Sequence, residues 1–470
     1  MTASEIRTEA WLAAAEYFIA INDWPAAEAA LRRELLLDST DARAYTLLAR
    51  ALKYQKRKDE AGRAFFQAAK LEPENPDYLY NLALFHQENG ELAAAEKIYL
   101  ELINKYPAYA DALANLGRLY QDSNQPGKAL LYYHKDLALR PNDPDSHFNL
   151  AFMYLLTGDY SRGWKEYEWR FKRTAVDRTY PHSFTQPRWQ GENFAGKTLL
   201  VHGEQGFGDN LQFLRYLPPA KRRGGRLLFE IPRQLCKLLQ NHPGIDQLLI
   251  FDHQQAYPKA FDYYIPLMSL ARVFQTDDAG PPPPEPLIKA PGALCRAWRA
   301  RLTGKAGFKV GLVWGGHPVP DPARSCPALE LAPLLELDDI DFYGLQTGPP
   351  AEEARELKQF SSFRGNLGPE WHSFADTAAV IANLDLVITI DTATAHLAGA
   401  MGKAVWTMLP FAPDWRWGLE QEKSPWYPSM CLFRQSEPGN WQAPLAQIKT
   451  RLNASAVKNL KTRPEPQTKL

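Results

Sequence analysis

The first 170 residues of this chain repeat with a step of 34. Position 1 falls at Thr8, Ala42, Pro76, Ala110 and Pro144. Position 8 is then Ala15, Ala49, Ala83, Gly117 and Ala151, and position 20 is Ala27, Ala61, Ala95, Ala129 and Gly163. Position 24 is large: Leu31, Phe65, Tyr99, Tyr133 and Tyr167. Position 32 reads Ser39, Pro73, Pro107 and Pro141, with no counterpart in the fifth unit. Small residues at 8 and 20 let two helices of one unit approach closely. The large residue at 24 fills the space between them, and the proline ends the second helix. A unit this short cannot bury its own apolar face, so neighbouring units must stack.

The pattern resembles the tetratricopeptide repeat family, with units one and five weaker, as capping units usually are. Asp136 stands at position 27 of unit four, where that family usually has Ala. The resemblance implies an all-α superhelix over residues 1–171 with a groove for an acceptor protein or peptide. Asn81, Asn115, Asn149, Tyr45 and Tyr80 lie on first helices. They line that groove or pack between repeats; the residues alone leave both readings open.

After the repeats the period is lost. Residues 172–197 contain Pro181, Pro187, Gly191 and Gly196 and read as a connector. Short apolar runs at 198–201, 226–231, 247–251 and 262–267 then read as buried strands, with helices over 211–216 and 234–239. AGPPPPEP (279–286) is a stiff linker. A second strand series follows at 309–314, 341–346, 386–390 and 404–409, with helices over 351–359, 376–384 and 394–401. Strands alternating with helices on both sides of a proline break predict two parallel-sheet α/β domains, 198–285 and 286–452. The polar, Lys- and Pro-rich stretch 453–470 is expected to be a disordered tail.

Lys plus Arg and Asp plus Glu number 54 each, so no global field favours nucleic acid or an anionic membrane. Cys236, Cys295, Cys326 and Cys431 are widely spaced, without CxxC pairs, which argues against a structural zinc site and a disulfide framework. No apolar run reaches the ~18 residues of a membrane span. A cytoplasmic protein, not integral to a membrane, is the expectation. No His and carboxylate stand at metal-ligand spacing, so neither a metal nor a bound cofactor is expected.

Two glycine-bearing turns sit where ligands bind in open parallel sheets, beyond the carboxyl ends of strands. The first, HGEQGFGDNLQFLRYLP, holds Gly203, Gly206 and Gly208 and sets Asp209 at a helix start. His202 and Glu204 flank the first glycine; a lone His at a strand end reads as structural first, and His202 stays a lesser site candidate. The second, VITIDTATAHLAGAMGKAVW, follows its strand with Asp391, Thr392, Thr394 and His396. Hydroxyls and the free N–H groups of a first helical turn make an anion site for which a diphosphate is the natural occupant. An ordinary capped helix is the alternative for each turn.

DTATAHLAGAMGKAVW is similar to the D-[ST]-x-x-x-H-x-A-x-A-x-G segment of bacterial heptosyltransferases. GFGDNLQFLRYLP resembles their N-terminal G-D-x-L-Q-x-x-P turn. With LPFAPDWRWGLEQEKSPWYPSMCLFRQ, the region from about 185 to 452 looks like the heptosyltransferase-like module joined to tetratricopeptide repeats in many bacterial proteins. The resemblance implies a GT-B fold of two Rossmann-like halves and a metal-independent, inverting glycosyltransferase with a nucleotide-sugar as donor substrate. It implies that Asp209 is the general base and that Thr392, Thr394 and His396 flank the diphosphate. Arg324 and Ser325 fit the basic loop of repeat-linked relatives, although the loop is shorter and His317, a pocket candidate, replaces an asparagine; a surface arginine is the alternative for Arg324. Gln346 is a candidate for the nucleobase, or simply ends its strand. Trp415, Arg416, Trp417, Trp426 and Tyr427 wall the nucleotide pocket or pack the C-terminal segment. Transfer of a sugar to a protein Ser or Thr hydroxyl is the implied activity. A degenerate module on a protein-interaction scaffold is the alternative.

Overall fold

The computed structural model describes residues 3–173, 182, 184–251, 261–274, 281, 288–302, 307–319 and 321–462. It divides into two compact units, Met1–Leu150 and Ala151–Leu470. The division falls inside the fifth repeat rather than at 171.

The helices of the repeats follow in hairpin pairs: α1 (Ala3–Ala20), α2 (Trp24–Leu37), α3 (Ala42–Tyr54), α4 (Lys58–Leu71), α5 (Pro76–Glu88), α6 (Leu92–Lys105), α7 (Ala110–Asp122), α8 (Pro126–Leu139) and α9 (Pro144–Leu156). The last pair is closed by α10 (Tyr160–Tyr167). Small and large positions meet as the period requires. A β-carbon on Gly117 would lie 2.6 Å from the Tyr133 ring, and Tyr99 and Tyr133 are fully buried. A third recurring feature is visible only in the backbone. Asn22, Lys56, Gly90, Asn124 and Gly158, again 34 apart, all take positive φ, between 54° and 86°. Each ends the first helix of its pair in the left-handed region that Gly and Asn tolerate best. Asp136 is buried and bound, accepting from Ser146 Oγ at 2.6 Å and Arg140 Nε at 2.9 Å.

The second unit holds two all-parallel sheets. β1 (Thr198–His202), β2 (Arg226–Ile231), β3 (Gln247–Ile250) and β4 (Tyr263–Pro266) lie in the order β3-β2-β1-β4. β5 (Phe308–Val313), β6 (Ile340–Gly344), β7 (Phe363–Asn366), β8 (Leu386–Ile390), β9 (Val405–Leu409) and β10 (Met430–Arg434) lie in the order β10-β9-β8-β5-β6-β7. Central strands β1, β5, β8 and β9 are apolar runs covered on both faces by helices, as parallel sheets require. β7 and β10 are not among the expected strands. FRGN is short and polar, and MCLFR lies inside the tail signature. The expected helix over 351–359 is a 3₁₀ turn, Pro349–Glu353, followed by the short helix Ala354–Leu357.

The described part of the connector from residue 184 is folded: Trp189 is fully buried and its backbone N–H donates to Tyr264 O at 2.9 Å. Of the proline linker only Pro281 is among the described residues. The expected tail is corrected over its first half. A helix runs through Gln442–Thr462, seated by buried Leu445, Ile448 and Leu452 at helical spacing. The run from 442 is rich in helix formers and meets no further proline after Pro444 until Pro464. Residues 463–470 lie outside the described ones. None of the four cysteines is in a disulfide. Among the described residues no helix is long and apolar enough to cross a membrane.

Candidate functional site at the junction of the two sheets

Both glycine turns end in helices that pack against one another. The first turn leaves β1 and enters α11 (Phe207–Phe213), with Gly206 as N-cap. The second leaves β8 and enters the helix Ala393–Ala400, with Thr392 as N-cap. Gly208 is the point of approach. A β-carbon there would sit 2.8 Å from Cδ2 of His396. Gly203 admits the Asn210 amide, to which a β-carbon would come within 2.4 Å of Oδ1.

Asp209 performs the capping role that its position allows: Oδ2 accepts the Gly206 N–H at 2.8 Å. Its other oxygen is ion-paired with Arg416, which arrives from the loop after β9. Burial raises the Asp209 carboxyl above the ordinary carboxylate range, and the Arg416 charge opposes that rise. Arg416 also donates from Nε to Gln212 Oε1 and from Nη1 to Asp414 Oδ1, both at 2.8 Å. Arg215, one turn further on, donates to Trp426 O at 2.8 Å. The NLQFLRYLP segment therefore ties the first sheet's leading helix to the returning C-terminal segment.

His396 is buried and stacks on Trp417, with centroids 5.2 Å apart. Its Nδ1 meets Tyr427 Oη at 3.1 Å, and Nε2 lies 3.9 Å from Asp391 Oδ1. Burial, aided by the charges of Arg416 and Arg215, holds its pKa well below the usual histidine value, so the ring is neutral. Asp391 is pushed up to about 6, by burial first and Asp414 second, against the pull of Arg416 and Arg324. Thr392 makes no side-chain cap; its hydroxyl meets that of Thr389 at 3.2 Å. Thr394 is half-buried in the first turn. A neutral imidazole, a helix start, two hydroxyls and two arginines are thus gathered around carboxyls with raised pKa, a setting suited to anion binding and proton transfer.

The remaining candidates divide. Arg324 donates to His317 O at 2.8 Å and its charge acts on Asp391, while Ser325 Oγ accepts the Gly316 N–H at 3.1 Å. His317 itself is exposed. Gln346 spends its amide on backbone: Oε1 accepts from Trp314 N and Gly315 N, and Nε2 donates to Gly315 O and Thr347 O. It brackets the end of β5. Trp415 is core, edge-on to Trp164 at 5.3 Å and to Trp426 at 5.7 Å. In the repeats, Asn115 donates to Tyr80 Oη at 2.8 Å, which is inter-repeat packing. Asn81 and Asn149 are half-buried.

Sequence reasoning missed two contributors and named a third without its role. Arg416 was legible only as one member of an aromatic run. Gln212 shares a helix face with Asp209 at i,i+3, which is a usable signal. Arg170 gave none. It clasps Glu204 with two bonds of 2.9 Å, and Glu204 also accepts the Met268 N–H at 2.9 Å. The first glycine turn is therefore pinned from the 3₁₀ turn that follows α10. A second cluster was likewise not expected: His182, His202 and Glu230, whose ligand atoms all lie within 4.8 Å of one another.

Tetratricopeptide repeat family models match residues 42–75 and 112–145. The repeats are therefore tetratricopeptide repeats. The chain is 28% identical over 444 residues to Protein FlbA of Caulobacter vibrioides, covering 87% of this chain and 72% of that protein. It is 30% identical over 153 residues to human Protein O-mannosyl-transferase TMTC3, covering 32% of this chain and 17% of that one. Among solved structures, PilF of Pseudomonas aeruginosa aligns with 37% of this chain and 80% of its own, at 20% identity and a TM-score of 0.35.

Proposed function

We propose that the second unit is a glycosyltransferase of GT-B type, in which the junction of α11 and the His396 helix binds a nucleotide-sugar. The tetratricopeptide array recruits an acceptor protein, and a Ser or Thr hydroxyl receives the sugar with inversion. The observation that carries this reading is Gly208 lying against His396, which brings both glycine turns to one place. The name of the human relative, a protein O-mannosyl-transferase, is in keeping with a protein acceptor over the part it matches.

Asp209 takes the proton of the acceptor hydroxyl as its oxygen attacks the anomeric carbon. The bond from that carbon to the diphosphate breaks, and the leaving charge falls on the helix start, Thr392, Thr394 and the arginines. For Asp209 to act, its Oδ1 must be released from Arg416, which then turns to the diphosphate. His396, neutral, donates a hydrogen bond rather than a charge.

Isothermal titration with UDP-, GDP-, dTDP-, CDP- and ADP-linked sugars tests donor binding, and one of them is expected to bind. Asp209→Asn keeps an acceptor for the Gly206 N–H but removes the base. Transfer should fall by roughly 10²–10⁴ with donor affinity nearly intact. Turnover like that of the wild type refutes the base. The second reading is a non-catalytic scaffold. It is favoured by the full engagement of Asp209, one oxygen by Gly206 and the other by Arg416. Under it, none of the five donors binds.

A further inference from the structure

We propose that His182, His202 and Glu230 form a site for a transition-metal dication, Zn²⁺ in the first place, that pins the connector to the first sheet. His202 and Glu230 are direct partners across the parallel pair β1 and β2, so their side chains leave the same face of the sheet side by side. His182 reaches them from the connector, and its Nε2 lies 3.1 Å from Glu230 Oε2. One ligand atom from each residue falls within 4.8 Å of the other two. Zn–N and Zn–O bonds of about 2.0–2.1 Å place tetrahedral ligand atoms roughly 3.4 Å apart. The His182–Glu230 separation already fits, and the longest separation has to close by about 1.4 Å at most, within reach of side-chain rotation.

The chemistry of the donor set agrees. Two imidazoles and one carboxylate suit zinc and its neighbours and are a poor match for calcium or magnesium. His202 Nδ1 meets Gly203 O at 3.3 Å. With Nδ1 donating to that carbonyl, Nε2 carries the lone pair, as in a metal-bound histidine whose other nitrogen is held by a hydrogen bond. The surroundings are aromatic. Phe184 stacks on His182 at 5.0 Å, and Phe251 lies edge-on to it at 5.8 Å. Glu230 is only 2% exposed. A carboxylate in such a place needs a cationic partner. An ion pair between His182 and Glu230 is the competing arrangement. The three residues are not among those placed in the sugar-transfer reaction, so the inference stands whether or not that reading holds.

The test uses the untagged full chain, freed of metal with a chelator and then dialysed against Zn²⁺. Inductively coupled plasma mass spectrometry should find about one zinc per chain, and the melting temperature should rise with Zn²⁺, since a ligand of the native state stabilises it. Both effects should be lost in His182→Ala, which alters the connector rather than the sheet, and in Glu230→Gln. If Glu230→Gln fails to fold, the His182→Ala result decides. Three results overturn the proposal: a wild-type chain holding less than about 0.1 zinc, a melting temperature indifferent to Zn²⁺, or zinc content unchanged in His182→Ala.

Discussion

Arg416 touches Asp209, Gln212 and Asp414 at once, and its charge acts on both Asp391 and His396. Its guanidinium is buried, so it stays only because the carboxylates neutralise it. Asp391 gives the clearest titration at this scale. Its folded pKa of about 6 stands above the ordinary 3.8. A raised carboxyl contributes stability that is complete below about pH 4 and is lost as pH rises through about 6. His396 works in the opposite sense: its lowered pKa costs stability as pH falls below the usual histidine value of 6.5. The two are separated by comparing variants. Asp391→Asn should gain stability relative to wild type as pH rises from about 4 to 6, read from urea midpoints at several pH values. In the proposed site, an ionised Asp391 also repels a diphosphate, so nucleotide affinity should weaken above about pH 6 in the wild type and not in the variant. Parallel stability curves for the two proteins would refute the assignment of this pKa.

The paired helix of the repeats is the element whose cost can be set from geometry. Gly117 faces Tyr133 at a distance no β-carbon tolerates. Yet Ala83 and Tyr99 fill the same two positions one unit earlier, both fully buried, so the ring can shift. Gly117→Ala should therefore cost only about 1 kcal/mol, at the low end of overpacking. Tyr133→Ala should cost about 3–5 kcal/mol by leaving a cavity. Chemical denaturation checks both, and equal costs would mean the pair does not set the helix spacing. This small-to-large pairing was legible because a period multiplies the evidence for each position. The left-handed turns at Asn22, Lys56, Gly90, Asn124 and Gly158 were not, since Lys56 hides what the glycines declare. Parallel strands in both sheets were legible as apolar runs. β7 was not, because Phe363–Asn366 is an edge strand with a single buried residue. Of the site, the two turns could be read from glycine, carboxylate and hydroxyl spacing. The side chains that engage them, Arg170, Arg416 and His182, come from distant segments, and no local pattern records which segments a fold brings together.

At the scale of the whole molecule, the boundary between compact units falls within α9, after Leu150, and not at the end of the repeats. The fifth repeat's second helix belongs with the α/β part: Trp164 packs edge-on to Phe213 and Trp415, and Tyr167 lies against the Gln205 amide, 2.7 Å from its hydroxyl. Arg170, just beyond that helix, holds Glu204 of the glycine turn. Removing the chain at residue 171, where the period ends, would strip these partners from the turn. Removing it before Pro144 would leave α9 and α10 in place. A chain beginning at Pro144 should therefore unfold in one cooperative transition and bind the nucleotide-sugar within about threefold of the full chain, a difference under ~1 kcal/mol. One beginning at residue 172 should expose apolar surface and lose that binding. Transfer to a protein acceptor should fall at least about tenfold in the chain from Pro144, the loss of ~1.4 kcal/mol or more of recruitment. Full transfer by that chain would mean the tetratricopeptide array recruits something other than the acceptor. Full donor binding by the chain from 172 would mean that Arg170 and Trp164 do not hold the turn in its working form.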